Sequence, residues 1–325
     1  MDQLVLDLAA LIAMSTPLLL ATLGVLIGER AGVINLSVDG SMLLAGMVGF
    51  AVAFTTQNVV FGFVAAAVVG ALVAAVVGYL GISLGLSQTA VGFVLALLCT
   101  DLSSFLGNPY VQQSGPAVVA WPIPVLADIP ILGTILFHHD PLIYAGLLLV
   151  PAVAWYIERS RPGLILRGVG ERPEALYARG IDVVRVRYTA VIIGGALIGL
   201  AGAAYTLDLK QGWTYRHTAG TGWIALAIVI FGAWKAYRIT FGCYLYAALQ
   251  TIASRMQVND WNVPTQVLQV APFVVMIVVL AVVNSLSTPA VQTWIVTIPA
   301  PMQRLFAYIT SPAPASLGKP FDPAG

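Results

Sequence analysis

The sequence predicts an all-α, polytopic membrane protein of about nine transmembrane helices. Three observations predict it. First, the 325-residue chain is 59% hydrophobic and 9% charged, with a mean hydropathy of +0.91, whereas ordinary soluble domains carry about 25% charged residues. Second, residues 40–100 and 261–303 contain no charged residue at all, and one spanning helix needs only about 20 mostly apolar residues. Third, the apolar runs lack the period-two alternation of barrel strands, and backbone groups in lipid must be satisfied within their own segment. A soluble enzyme, a nucleic-acid binder, a secreted disulfide scaffold and a disordered chain are excluded. Cys99 and Cys243 lie inside apolar runs and show no disulfide or metal spacing.

The expected spans are 4–27, 41–55, 59–83, 89–106, 141–158, 187–208, 222–236, 239–254 and 265–284. The first carries Asp2 and Asp7 and no basic n-region, so it reads as a membrane helix rather than a signal peptide. A polar, glycine-containing break, GERAGVINLSVDGS (28–41), follows it. Segment 107–140 holds Pro109, Pro116, Pro122, Pro124 and Pro130 with Trp121; it reads as a stiff connector, or as a docking surface. A second break, KQGWTYRHTAGTG (210–222), precedes the span at 222–236. The glycines Gly194, Gly195, Gly199 and Gly202 are spaced for close helix packing. The final stretch, SPAPASLGKPFDPAG, reads as a disordered tail.

Charge sets the orientation. Arg159, Arg161, Arg167, Arg172, Arg179, Arg185 and Arg187 cluster in one polar segment, which the positive-inside rule makes cytoplasmic. Alternating the spans leaves only Lys210, Arg216 and Arg255 of the fifteen basic residues outside. The N-terminus is then outside and the C-terminus inside. Four spans precede the helix at 141–158 and four follow it, which is the arithmetic of two inverted repeats.

Catalytic chemistry is not visible. The three histidines, His138, His139 and His217, fall in expected outside loops, and there is no phosphate loop with Lys-Ser or Lys-Thr. No cofactor or metal is expected in this chain. In the first break, Asn35, Ser37 and Asp39 alternate as they would along one side of an extended strand. A carboxylate beside the membrane is costly unless it meets water, a partner or a cavity. Asp39 therefore either faces a central path or caps the helix starting at Gly40 or Ser41. In the cytoplasmic segment, 171–180 reads as a short amphipathic helix with Pro173 in its first turn, Arg179 in its last and Gly180 as terminator.

Three stretches carry a resemblance. GERPEALYARGIDVVRVRY, followed by TAVIIGGALIGLAGAAYTL, resembles the coupling region of bacterial ABC-importer permeases of the ribose-type sugar and, more closely, nucleoside branch. ERAGVINLSVDGSMLLAGMVGF (29–50) and TAGTGWIALAIVIFGAW (218–234) resemble the same family, in its order and spacing. The chain departs from the family at Arg172, where members usually have Asn. The resemblance implies a multi-pass permease of the bacterial inner membrane, which works by alternating access. It implies a second permease subunit, a cytosolic ATPase that supplies ATP and magnesium, and an extracytoplasmic binding (lipo)protein, with no nucleic acid.

On that reading, residues 1–288 form the permease domain, with the coupling segment at 159–187, and 289–325 form a cytoplasmic segment and tail. Glu171, Pro173, Glu174, Ala175, Arg179 and Gly180 would meet the ATPase. The substrate path would draw on Asn35, Ser37, Asp39, Gln88, Thr89, Trp213 and Phe231. Tyr215, Trp223 and Trp234 are further aromatic candidates for stacking on a base, although Trp and Tyr also form the interfacial belt. Belt placement suits Trp234 and Tyr237, beside Lys235 and Arg238. Two rival readings are an ion-gradient transporter, with Asp101 as its candidate acid, and a non-transporting scaffold subunit.

Overall fold

The computed structural model describes residues 2–124, 126–218, 220–258 and 312–321, with 274, 277, 278 and 281 singly. Among them the fold is all helical: α1 (Asp2–Arg30), α2 (Val38–Thr56), α3 (Val59–Gly78), α4 (Gln88–Gly107), α5 (Pro141–Arg159), α6 (Arg161–Glu171), α7 (Pro173–Tyr177), α8 (Val183–Ala203), α9 (Thr221–Phe231) and α10 (Ala236–Val258). Wider π-helical turns, Tyr79–Ser83 and Ala204–Leu209, extend α3 and α8.

Six helical segments among the described residues are long and apolar enough to cross a membrane: Leu4–Arg30, Val38–Thr56, Val59–Ser83, Gln88–Tyr110, Pro141–Arg159 and Val183–Leu209. Of the other three expected spans, α9 is apolar but only 11 residues long and α10 is long but less apolar. The span expected at 265–284 and the domain boundary at 288 lie outside the described residues.

Burial sorts the helices into a core and a rim. The most apolar stretches of α1, α2 and α8 are 67–72% buried, and those of α3, α4 and α5 only 28–33%. The rim position of α3 follows from its sequence: Phe61, Val64, Val68, Leu72 and Val76 recur every three to four residues and are exposed, a face for lipid.

The hub is α8, and its four glycines explain why. Gly194 meets Gly24 of α1, Gly195 and Gly199 meet Gly70 and Ala66 of α3, and Gly202 meets Met42 and Gly46 of α2. A Cβ at any of the four would overlap a backbone or side-chain atom of the facing helix. Lipid tails are as apolar as the helices, so close backbone packing has to supply the association.

Local signals set several boundaries. Asp182 accepts the Arg185 N–H at 2.9 Å and starts α8 four residues ahead of the expected 187, so Arg185 and Arg187 are helical. The chain turns out of α9 at Gly232, where Ala233 and Trp234 have φ of +48° and +55°. Trp234 is buried and does not join the interfacial belt expected of it, whereas Tyr237 is exposed. Segment 107–140 lies against other parts of the fold: Val118 N–H donates to the Leu207 carbonyl at 3.1 Å, and Phe50 fills the space beside Gly115.

The tail reading fails for residues 312–321. Ser316 is buried, and its backbone and side chain bond to the end of α6. Composition alone makes this stretch look unstructured, because its stability comes from a receptor surface distant in sequence. The tail shares a face with α6, α7 and the C-terminal end of α1.

Gly199→Leu should lower the unfolding midpoint of detergent-purified protein, by the equivalent of about 2 kcal/mol or more for forced overpacking. A thermal scan against wild type checks it.

Candidate functional site

The two polar breaks meet. Residues 31–37 lead into α2, and Asp39 sits in its first turn. Asp39 Oδ1 accepts the Gly222 N–H at 3.0 Å, and Thr218 Oγ1 lies 3.5 Å from the same oxygen. Gly222 belongs to the first turn of α9, whose leading amides have no intrahelical acceptor. The residue before α9, Gly220, has φ of +80° and no side chain with which to cap it. Asp39 supplies the missing acceptor from another helix, and its charge suits the positive end of the α9 dipole. Asp39 thus caps a helix, though not its own: α2 begins at Val38 and has no side-chain cap.

Asn35 and Ser37 do not lie along an extended strand. The chain turns there, and Asn35 Oδ1 accepts both the Ser37 N–H at 2.9 Å and the Ser37 hydroxyl at 2.6 Å. Both side chains are buried. Gln88 is buried too; its Oε1 accepts the Ile34 N–H at 2.8 Å, while its Nε2 has no partner among the described residues. Thr89, next in α4, is exposed. Trp213 is 1% exposed, wedged against Gly107 and Met47. Phe231 is half-buried at the end of α9.

A cavity of about 420 Å3 opens beside Asp39, lined by Leu43, Leu97, Thr100, Arg216, Thr218 and Trp223 among others. The Phe93 ring, exposed on α4, lies 6.3 Å from the Trp223 ring. Of the residues nominated from sequence, Asp39 and Trp223 reach this cavity. Thr100, Arg216 and Thr218 were missed. The signal for the last two was the second break itself, whose polar residues had no other evident use.

His217 lies in the same loop, its Nδ1 2.9 Å from the Thr214 hydroxyl. Burial, reinforced by nearby Lys210, pushes its pKa from 6.5 to about 4.

At the inner end, Arg30 Nε and Nη2 donate to the Trp234 carbonyl at 2.9 and 2.5 Å, and Trp234 Nε1 donates to Glu29 Oε2 at 2.5 Å. These bonds tie the end of α1 to the end of α9. Beside them projects the elbow formed by α6 and α7. Ser160 caps α6 through the Gly163 N–H at 3.0 Å, and Pro173 opens α7. Gly180, with φ of +81°, closes the elbow as Ile181 N–H donates to the Leu176 carbonyl at 3.1 Å, a helix stop that favours glycine. Pro173 is buried, while Glu171, Glu174, Ala175, Arg179 and Gly180 are exposed.

A family model described as "Branched-chain amino acid transport system / permease component" matches residues 8–283. The chain belongs to this family. A protein of Haloferax volcanii provisionally named a glucose ABC transporter permease is 41% identical over 254 residues, 77% of each chain. The nucleoside ABC transporter permease NupC of Lactococcus lactis is 30% identical over 84% of this chain and 90% of its own. The guanosine ABC transporter permease NupQ of Bacillus subtilis is 29% identical over 83% and 89%. No solved structure gives a significant match.

The chain is therefore the permease subunit of an ABC importer, a multi-pass protein of the cell (inner) membrane. It is not itself an enzyme; ATP hydrolysis resides on a separate subunit, and the permease associates with that ATPase and with a substrate-binding protein. The ion-gradient reading falls with this assignment, and Asp101, its candidate acid, is simply exposed on α4.

The His217 shift gives a pH prediction. Between pH 6.5 and about 4 the unfolded loop binds a proton that the folded loop does not, so its stability falls as pH falls through that window. Amide exchange across 210–218 should accelerate from pH 7 to pH 5, after correction for intrinsic rates, and His217→Gln should flatten the difference.

Proposed function

We propose that this permease carries a nucleoside, and that the cavity beside Asp39 is its half of the path. The observation that carries the reading is the pairing of chemistries around one opening. Trp223, with Phe93 beside its ring, offers an aromatic face for a base, and Asp39, Thr100, Arg216 and Thr218 offer hydrogen-bonding groups for a ribose. The relatives named for nucleosides and guanosine favour the same substrate. A simple sugar is the second reading, favoured by the glucose-named relative. Asn35, Ser37 and Gln88 act by holding the 31–37 segment.

The cavity lies beside α4, a rim helix with exposed Phe93, Leu97, Leu98 and Phe105. That edge suits closure of the path by a second permease subunit. The arrangement is nine spans in two inverted halves, each with its polar break after its first span, and the two breaks meet at Asp39 and Gly222. ATP and magnesium belong to the ATPase, which grips the elbow at Glu171, Pro173, Glu174, Ala175, Arg179 and Gly180. The elbow moves with the ATPase, and the path opens alternately to each side. Affinity in the path is weak, because a tight site would hold the solute back.

Two experiments test this. Trp223→Ala should cut nucleoside uptake about tenfold, as expected from a stacking contribution of about 1–3 kcal/mol, with ATPase capture unchanged; glucose competing as well as nucleosides would favour the sugar reading. Ala175→Trp, on the exposed elbow, should abolish uptake while the protein still reaches the membrane. Uptake unaffected by it would remove the elbow from the coupling path.

A further inference from the structure

The tail does more than rest on the elbow. Its Ser316 N–H donates to the Gly170 carbonyl at 2.9 Å, and its hydroxyl lies 3.0 Å from the Val169 carbonyl and 2.8 Å from that of Gly170, both at the end of α6. Ala315 N–H donates to Glu171 Oε2 at 3.3 Å, and the Phe321 ring packs edge-on against Tyr177 of the elbow at 5.6 Å. From the same few residues, Gly318 N–H reaches the Gly32 carbonyl at 3.0 Å. Gly32 begins the segment that leads through Ile34 and Asn35 to Asp39. Ten residues therefore bridge the elbow and the start of the path.

Arg187 locks the bridge from below. Its side chain is 1% exposed, and a buried guanidinium without acceptors is strongly unfavourable. Its hydrogen-bond acceptors among the described residues are both on the tail: the Lys319 carbonyl at 3.1 Å from Nη1 and the Ser316 hydroxyl at 3.3 Å from Nη2. The fit is tight on both sides. Gly32 has φ of +86°, and a Cβ there would come 2.6 Å from Ser316 Oγ; Gly318 has φ of +72°, and a Cβ there would come 2.7 Å from the Ile34 side chain.

We propose that residues 312–321 form a strap that transmits movement of the elbow to the 31–37 segment, with Ser316 and Arg187 as its positioning residues. Directed backbone bonds on both sides let the strap pull as well as push, which sliding apolar contact does not. The proposal rests on the elbow being the surface that the ATPase grips.

The test uses the full chain reconstituted in proteoliposomes with its ATPase and binding protein, and reads solute taken up per ATP hydrolysed. Ser316→Ala removes the side-chain bonds to α6 and Arg187 without adding bulk. Phe321→Ala removes the ring packed against Tyr177 of the elbow. Each should leave ATP hydrolysis within about twofold of wild type and lower uptake per ATP at least fivefold. An unchanged ratio in both variants overturns the strap, and so do hydrolysis and uptake falling in proportion, which is what a merely structural role produces. Ala175→Trp in the same assay separates the two ideas. If it blocks uptake while Ser316→Ala leaves the ratio intact, only the strap fails; if it changes nothing, the elbow reading fails.

Discussion

A helix interrupted inside a membrane leaves amides that neither its own turns nor the solvent can satisfy. This permease is organised around that constraint. The chain breaks at 31–37 and again at 210–220, and side-chain oxygens answer for freed amides: Asp39 for Gly222, Gln88 for Ile34, Asn35 for Ser37. Because Asp39 serves a helix 183 residues away in sequence, the first break and the second cannot be positioned independently. The polar groups at the cavity are thus already part of the scaffold, and a solute entering there meets side chains whose orientation is largely set.

Around this junction the helices are held by two kinds of contact. α1, α2, α3 and α8 are joined by glycine-to-backbone contact, which leaves little freedom to slide. α4 and the elbow pack on the same block by glycine contact as well, Gly40 against Ala96 of α4 and Gly170 of α6 against Arg30, while the short α9 is also tied to it by the Asp39–Gly222, Glu29–Trp234 and Arg30–Trp234 bonds.

Six of the expected spans, the arginine-rich elbow and the two breaks were legible because each rests on local chemistry: runs without charge, a cluster of one charge, polar residues between apolar runs. What escaped depended on distant partners. Asp39 before a helix looks like that helix's cap, and nothing nearby says that an uncapped glycine at 220 needs it more. Trp213 and Trp234 have the composition of belt residues, yet Gly107 and Glu29, far off in the chain, draw them inward. The tail, rich in proline and alanine, looks structureless until Arg187 and Gly170 provide its seat. The early start of α8 was readable, since Asp182 three residues before Arg185 is an ordinary capping signal that the charge pattern obscured.

The wide turn at Ala204–Leu209 carries α8 into the second break with one residue more than a regular turn holds. Arg216 and Thr218 lie just downstream, so this one wide turn decides where two of the cavity's lining residues leave the end of α8.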